Sequence, residues 1–124
     1  MANKKKDIDC IFNDTLVIDK GMMQFYSDIV KSGPKFEGNL FTIISLSKTV
    51  SEIEFAASNA VTILNAAQIL LSKQQWSDIR IPEANLFKAM LSGSDLSGAD
   101  LTGVNLTSAH LGNVNFQKAI MKDV

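Results

Sequence analysis

From Asp19 to about Ser72 the apolar residues recur at the spacing of a helix. Met22, Phe25, Tyr26, Ile29 and Val30 stand at i, i+3, i+4, i+7 and i+8, one stripe of a helix with Asp19 as its N-cap and an end near Ser32. Gly33 suits a C-terminal cap, and Pro34 suits the first position of the next helix, where its missing N–H costs nothing. A second stripe of Phe36, Leu40, Ile43 and Ile44 closes at Ser47. Thr49 and Glu52 have capping-box spacing and announce a third helix, which runs through Ile53, Ala57, Ala60, Val61, Leu64 and Ala67 to about Leu71. Its alanines, among them Ala56 and Ala66, permit close approach, so it reads as a core helix of a small bundle rather than a membrane or cofactor element.

Beyond Leu71 the helical period gives way to a period of five. Every fifth residue from Ile81 is large and apolar: Ile81, Leu86, Leu91, Leu96, Leu101, Leu106, Leu111, Phe116 and Met121. At 46% hydrophobic residues, nine in nine has a chance probability of about 0.001. Two residues before each comes a second column of small or aliphatic residues, Ile79, Ala84, Ala89, Ser94, Ala99, Val104, Ala109, Val114 and Ala119. Between the columns stand Asn85, Asp95, Asp100, Asn105, His110 and Asn115, with Arg80, Met90 and Ile120 as exceptions.

A period of five fits neither the helix nor the flat strand, so the chain turns after every short extended piece. Four pieces close a square, and twenty residues make one coil of a stack spaced at roughly 4.8 Å. The large and small columns then point inward together, and the Asp or Asn between them points out, where it can bond the backbone of the adjoining turn. Adding twenty places Ile81, Leu101 and Met121 over one another, and likewise Leu86 with Leu106, Leu91 with Leu111 and Leu96 with Phe116. Trp76, five before Ile81, keeps the frame and seats the junction with the helices. Gly93, Gly98 and Gly103 stand where a turn needs positive φ; they lack the Lys-Ser/Thr pair of a phosphate loop.

The stretches Ala84-Asn85-Leu86, Ser94-Asp95-Leu96, Ala99-Asp100-Leu101 and Val104-Asn105-Leu106 resemble the A(D/N)Lxx pattern of pentapeptide-repeat proteins. That resemblance implies an α+β protein with a right-handed quadrilateral β-helix. The expected division is a flexible tail over 1–15, a helical cap of about three helices over 16–75, and a β-helix of about two coils over 76–124. Residues 55–67 followed by 78–86, and more weakly 16–48, resemble a segment preceding pentapeptide repeats in NACHT and WD-repeat signalling proteins. The chain has neither a P-loop nor a WD repeat, so nucleotide-driven switching does not carry over.

Composition narrows the function. A length of 124 residues suits one small unit, and a net charge of −1 supplies no field for a polyanion, so nucleic acid is not an expected partner. Cys10 is alone, which excludes an internal disulfide and fits a reducing, cytoplasmic setting; no apolar run approaches the ~18 residues that span a bilayer. With one histidine, one tyrosine and one cysteine, an enzyme is not expected, nor is a cofactor or a metal. His110 reads as a surface residue in place of a turn amide, and Asp95 with Asp100 as turn-bonding carboxylates rather than an acid–base pair.

The expected function is therefore a non-catalytic interaction or scaffold module with a protein partner. The alternative is a topoisomerase-binding DNA mimic, which some pentapeptide-repeat proteins are. Against it, the residues from Ile81 onward hold Glu83, Asp95, Asp100 and Asp123 against Lys88, Lys118 and Lys122, a near balance. Phe87 and Met90 occupy outward positions that other repeats mostly give to Ser, Thr, Asn or Asp, and are either packed under the helices or a docking spot. Phe116 and Met121 lie in the last coil, whose open end invites a homodimer through the C-terminal coil.

Overall fold

A computed structural model describes residues 20–124. The expected tail over 1–15 and the Asp19 N-cap lie outside the described residues, as do the side chains of Met22 and Phe25.

Three helices of thirteen residues come first: α1, Lys20–Ser32; α2, Pro34–Leu46; and α3, Glu54–Ala66. Lys31 in the last turn of α1 complements the helix dipole. Gly33 does not cap α1 in the left-handed region. Its backbone is extended, φ −179° and ψ 157°, and it is the N-cap residue of α2 ahead of Pro34. Tyr26 of α1 stacks on Phe36 of α2 with centroids 6.4 Å apart. The capping box expected from Thr49 and Glu52 does not form, because a 3-10 turn over Ser51–Ile53 intervenes and α3 starts at Glu54 without a side-chain cap.

Helix α3 is the centre of the molecule. Its residues from Ala56 to Leu64 are all buried, the polar Ser58, Asn59 and Thr62 included, since α1 and α2 cover one flank and the repeat half the other. It ends at Ala66 rather than near Leu71. Gln68 turns left-handed at φ 62°, its N–H bonds Asn65 O, and Ile69 N–H returns to Leu64 O, the Schellman ending of a helix.

From there the chain winds into coils of twenty residues. Gln75 pairs with Asp95, Arg80 with Asp100, Asn85 with Asn105, Met90 with His110, Asp95 with Asn115 and Asp100 with Ile120, all parallel. Around one such pair, Asp95 N–H donates to Gln74 O and Asp95 O accepts from Trp76 N–H, each at 2.9 Å. The expected right-handed quadrilateral β-helix is corrected at this point. Among the described residues there are no β-strands and no sheet, only single bridges five residues apart. Two turn residues follow every three extended ones, so only the middle residue of each side exchanges both hydrogen bonds, and no ladder lengthens into a strand.

The second turn residue is left-handed in each described repeat that has one. Only Gly93, Gly98 and Gly103 meet that demand with glycine; Lys73, Asp78, Glu83, Lys88, Ser108, Asn113, Lys118 and Asp123 meet it with side chains, at φ of 58–64°. At Lys73, Asp78, Glu83 and Lys88 the strain, about 1 kcal/mol each, is offset within the stack because their N–H groups pair with the next coil, as Asp78 does with Ser97 O at 2.8 Å and Glu83 with Thr102 O at 2.7 Å.

One apolar core runs from Val30 through α2 and α3 to Val104. Ile81, Leu86, Leu91, Leu96 and Leu101 are wholly buried, and Ile79, Ala84, Ala89, Ser94 and Ala99 line the same interior. Each buried leucine contributes roughly 1.5–3 kcal/mol. Burial fades downward: Leu106, Leu111, Val114 and Phe116 are half-buried. Trp76, 2% exposed, sits against Phe41 of α2 with centroids 6.2 Å apart. No helix among the described residues is long and apolar enough to cross a membrane.

Candidate functional site

Three surfaces of the repeat half are distinguished by what meets them. The first is its upper edge, where the first coil has no coil above it and its backbone groups would be bare. Side chains of the helices take the place of that coil. Lys48 Nζ donates to Gln75 O at 2.8 Å, and Ser47 Oγ accepts from Arg80 N–H at 2.9 Å. From α3, Ser58 Oγ donates to Pro82 O at 2.6 Å, Thr62 Oγ1 accepts from Asn85 N–H at 3.0 Å, and Asn65 Nδ2 donates to Asn85 O and Phe87 O at 3.2 and 3.1 Å. Sequence reasoning missed this set. The signal was present, since Ser58, Thr62 and Asn65 stand at i, i+4 and i+7 in a largely apolar helix and so share one face.

The second surface is a corner beside the end of α3. Phe87 is 43% exposed and Met90 37% exposed, the former on the turn and the latter at the middle of the next side. With Thr62, Asn65, Ala66 and Gln68 of the helix end, and Asn85, Lys88, Ser108 and His110 of the coils, they line a groove of about 800 Å³. Lys88 Nζ lies over the Phe87 ring, 5.3 Å from its centroid. Of the two alternatives for Phe87 and Met90, the structure shows an intermediate: they wall a groove shared with α3 and keep their outer faces in solvent. Leu70, whose successor Leu71 donates its N–H to Met90 O, adds a third exposed apolar residue at 60%. His110 is exposed beneath Met90. Among the described residues no group of three His, Cys, Asp or Glu is placed to hold a metal ion.

The outward carboxylates are occupied locally. Asp95 accepts from Ser97 Oγ at 2.6 Å and from Ser97 N–H at 2.9 Å; Asp100 accepts from Thr102 Oγ1 at 2.7 Å and Thr102 N–H at 3.1 Å. Asn85, Asn105 and Asn115 bond the N–H two residues on in the same way. The Ser97 hydroxyl and then the Ser97 N–H hold the Asp95 carboxyl below its ordinary pKa, with Lys48 adding to the effect.

The third surface is the lower edge. Leu86, Lys88, Leu91, Gly93, Leu96, Gly98 and Leu101 each donate their N–H to the coil below. Among the described residues their counterparts twenty on, Leu106, Ser108, Leu111, Asn113, Phe116, Lys118 and Met121, have no acceptor. Phe116 is half-buried there, Met121 is 40% exposed and Ile120 52% exposed.

Residues 84–123 match the pentapeptide-repeat family, in eight copies. This stretch is a run of pentapeptide repeats. The pentapeptide repeats account for the column from Leu86 to Met121, and the hydrogen-bonded coil extends beyond the matched span, up to Gln75 and Arg80. No curated protein and no solved structure matches the chain, so nothing supports the resemblance to NACHT and WD-repeat signalling proteins.

Proposed function

We propose that the chain is a non-catalytic protein-interaction module, in which the helices and the pentapeptide repeats together present the Phe87–Met90 corner to another protein. The observation that carries this reading is the exposure of two large apolar side chains at positions where the repeat pattern supplies polar ones. The turn position of Phe87 holds Ser92, Ser97, Thr102, Thr107 and Gln117 in most other repeats, with Pro82 and Gly112 besides, and the side-centre of Met90 holds Gln75, Arg80, Asn85, Asp95, Asp100, Asn105, His110 and Asn115, with Ile120 the other apolar exception. Exposed aromatic and methionine side chains beside a groove are the usual anchors of protein recognition. The near balance of charge along the repeats argues for protein rather than nucleic acid as the partner, and the lone Cys10 for a reducing, cytoplasmic setting.

The test compares Phe87→Ser with Ile120→Ser in affinity capture and in thermal melting. Phe87→Ser removes the captured partner while stability stays within about 0.5 kcal/mol, as for a surface change, and Ile120→Ser captures normally. Unchanged capture by Phe87→Ser, or a large fall in its melting temperature, contradicts the reading. A second copy of the chain is the partner we propose for the lower edge, where N–H groups without an acceptor among the described residues adjoin Phe116 and Met121. Sedimentation shows a dimer that Met121→Lys abolishes; a 13.5 kDa monomer at every concentration contradicts it.

A further inference from the structure

The near balance of charge along the repeats conceals a division by side. Each coil has four sides, and the bridges assign the outward residues to them. Gln75, Asp95 and Asn115 centre the first side; Arg80, Asp100 and Ile120 the second; Asn85 and Asn105 the third; Met90 and His110 the fourth. Leu70, ahead of the first bridge, continues the fourth side upward, because Leu71 N–H donates to Met90 O just as Trp76 N–H donates to Asp95 O. Every aspartate and glutamate from Ala67 onward falls on the first two sides or at a corner of the second. Asp95 and Asp100 stand at side centres, and Asp78, Glu83 and Asp123 at corners. The fourth side lies opposite the second. Its corners carry Lys88 and Lys73, both exposed, and the exposed Leu70 and Met90 stand between them. Lys88 Nζ lies over the Phe87 ring, and Lys73 lies against Gly93, its Cγ 3.3 Å from the position a Cβ would take there.

An apolar column bordered by cations is complementary to a surface that combines carboxylates with aliphatic or aromatic side chains. We infer that the side carrying Leu70 and Met90 binds an acidic segment of a partner protein, with apolar side chains on Leu70, Phe87 and Met90 and carboxylates toward Lys73 and Lys88. The inference rests on reading the Phe87–Met90 corner as a docking site, and it adds the partner's chemistry and extends the footprint to the far corner of the side. Nucleic acid is the lesser fit, because its affinity comes from many neutralised phosphates, and the apolar column neutralises none. The charge of the lysines can be reversed without disturbing the coil. Asp78 and Glu83 occupy the same left-handed turn position as Lys73 and Lys88, at φ of 64° and 60°, so a carboxylate side chain is accommodated there.

A random peptide library displayed on phage and selected on the full-length chain supplies the probe. The enriched peptides are acidic and carry large apolar residues. Lys73→Glu with Lys88→Glu weakens their binding about tenfold, by reversal of two exposed ion pairs, and leaves the melting temperature unchanged. Lys118→Glu with Lys122→Glu changes the net charge equally, on the corners of the second side, and leaves binding intact. No enrichment, enrichment of basic or uncharged peptides, or equal weakening by the two double variants overturns the inference. Binding that survives replacement of a selected peptide's apolar residues by serine overturns it too, assigning the side to polyanions such as nucleic acid. Self-association in sedimentation that Lys73→Glu with Lys88→Glu abolishes overturns it in favour of the acidic side of a second copy. If Phe87→Ser releases the peptides and the charge reversal does not, the docking corner stands and only the partner's acidity is wrong; if neither releases them, both readings fail.

Discussion

If the helices act as the missing coil above the first repeat turn, removing a hydroxyl from their contact face must cost as much as breaking the coil's own pairing. Thr62→Val is the cleanest such change. Thr62 is 8% exposed, and its Oγ1 accepts from Asn85 N–H at 3.0 Å while donating to Ser58 O at 2.7 Å. Valine keeps the shape and removes both functions, so Asn85 N–H is left without an acceptor at the junction. A polar group stranded in this way costs about 1–3 kcal/mol. Ser47→Ala does the same to Arg80 N–H, since Ser47 is fully buried and accepts that N–H at 2.9 Å. The two sites serve different sides of the coil, so the double variant loses about 2–6 kcal/mol, the sum of the singles. Thr42→Val is the control: Thr42 is exposed and bonds only Gly38 O at 3.0 Å within its helix, and its loss falls within about 0.5 kcal/mol. Urea unfolding followed by the fluorescence of Trp76, the one tryptophan and a residue of the junction, reads all four proteins. Midpoints for Thr62→Val and Ser47→Ala no lower than that for Thr42→Val would refute the capping role.

The burial gradient predicts that Leu101→Ala costs about 2–5 kcal/mol and Leu111→Ala clearly less in the same urea series, because Leu101 is fully buried and Leu111 only half; equal losses would contradict the column. Gly98→Ala lowers the melting temperature and Gly112→Ala does not, since Gly98 sits at φ +69° with Asp78 Oδ1 against the space of a Cβ, whereas Gly112 meets only Ser92 Oγ at 3.8 Å. Asp95 has a folded pKa below its unfolded value, so its contribution to stability is full above the unfolded pKa and is lost as pH falls through the folded one. Melting temperatures taken from neutral to acid pH show a smaller acid loss for Asp95→Asn than for the natural chain; identical profiles would rule out the Ser97 bonds as the source.

The repeat half was legible because one property, side-chain size at every fifth residue, reports directly on which positions face the interior. The twenty-residue register follows from it by closure of four sides, and the bridges from Gln75↔Asp95 to Asp100↔Ile120 have that register. What the pattern does not encode is how much of each side forms a ladder. A strand was expected from inward and outward alternation, yet alternation over three residues is compatible with a single bridge, and that is what forms. The left-handed turns were visible only at the three glycines, because Lys73, Glu83 or Lys88 in that conformation is stabilised by pairing between coils rather than by its own preference. Among the helices, apolar stripes located α2 and α3, but Thr49 and Glu52 lost to a 3-10 turn and the end of α3 was set by Gln68, a residue with no marked C-capping character. Phe87 and Met90 stood out as breaks in a polar column; the groove they share with α3 depends on where that helix crosses the coil, which only packing determines.

Amide hydrogen exchange on the full-length chain, at a concentration where it sediments as a monomer, tests most directly the claim of a repeat stack sealed by helices above and open below. Residues twenty apart are alike in sequence position and differ in having a coil beneath them, so Leu86, Leu91 and Leu96 exchange slowly while Leu106, Leu111 and Phe116 exchange fast. Arg80 and Asn85, bonded to Ser47 and Thr62, are protected like interior amides. Fast exchange at Arg80 and Asn85, or protection of Leu106, Leu111 and Phe116 equal to that of their partners above, would contradict the account.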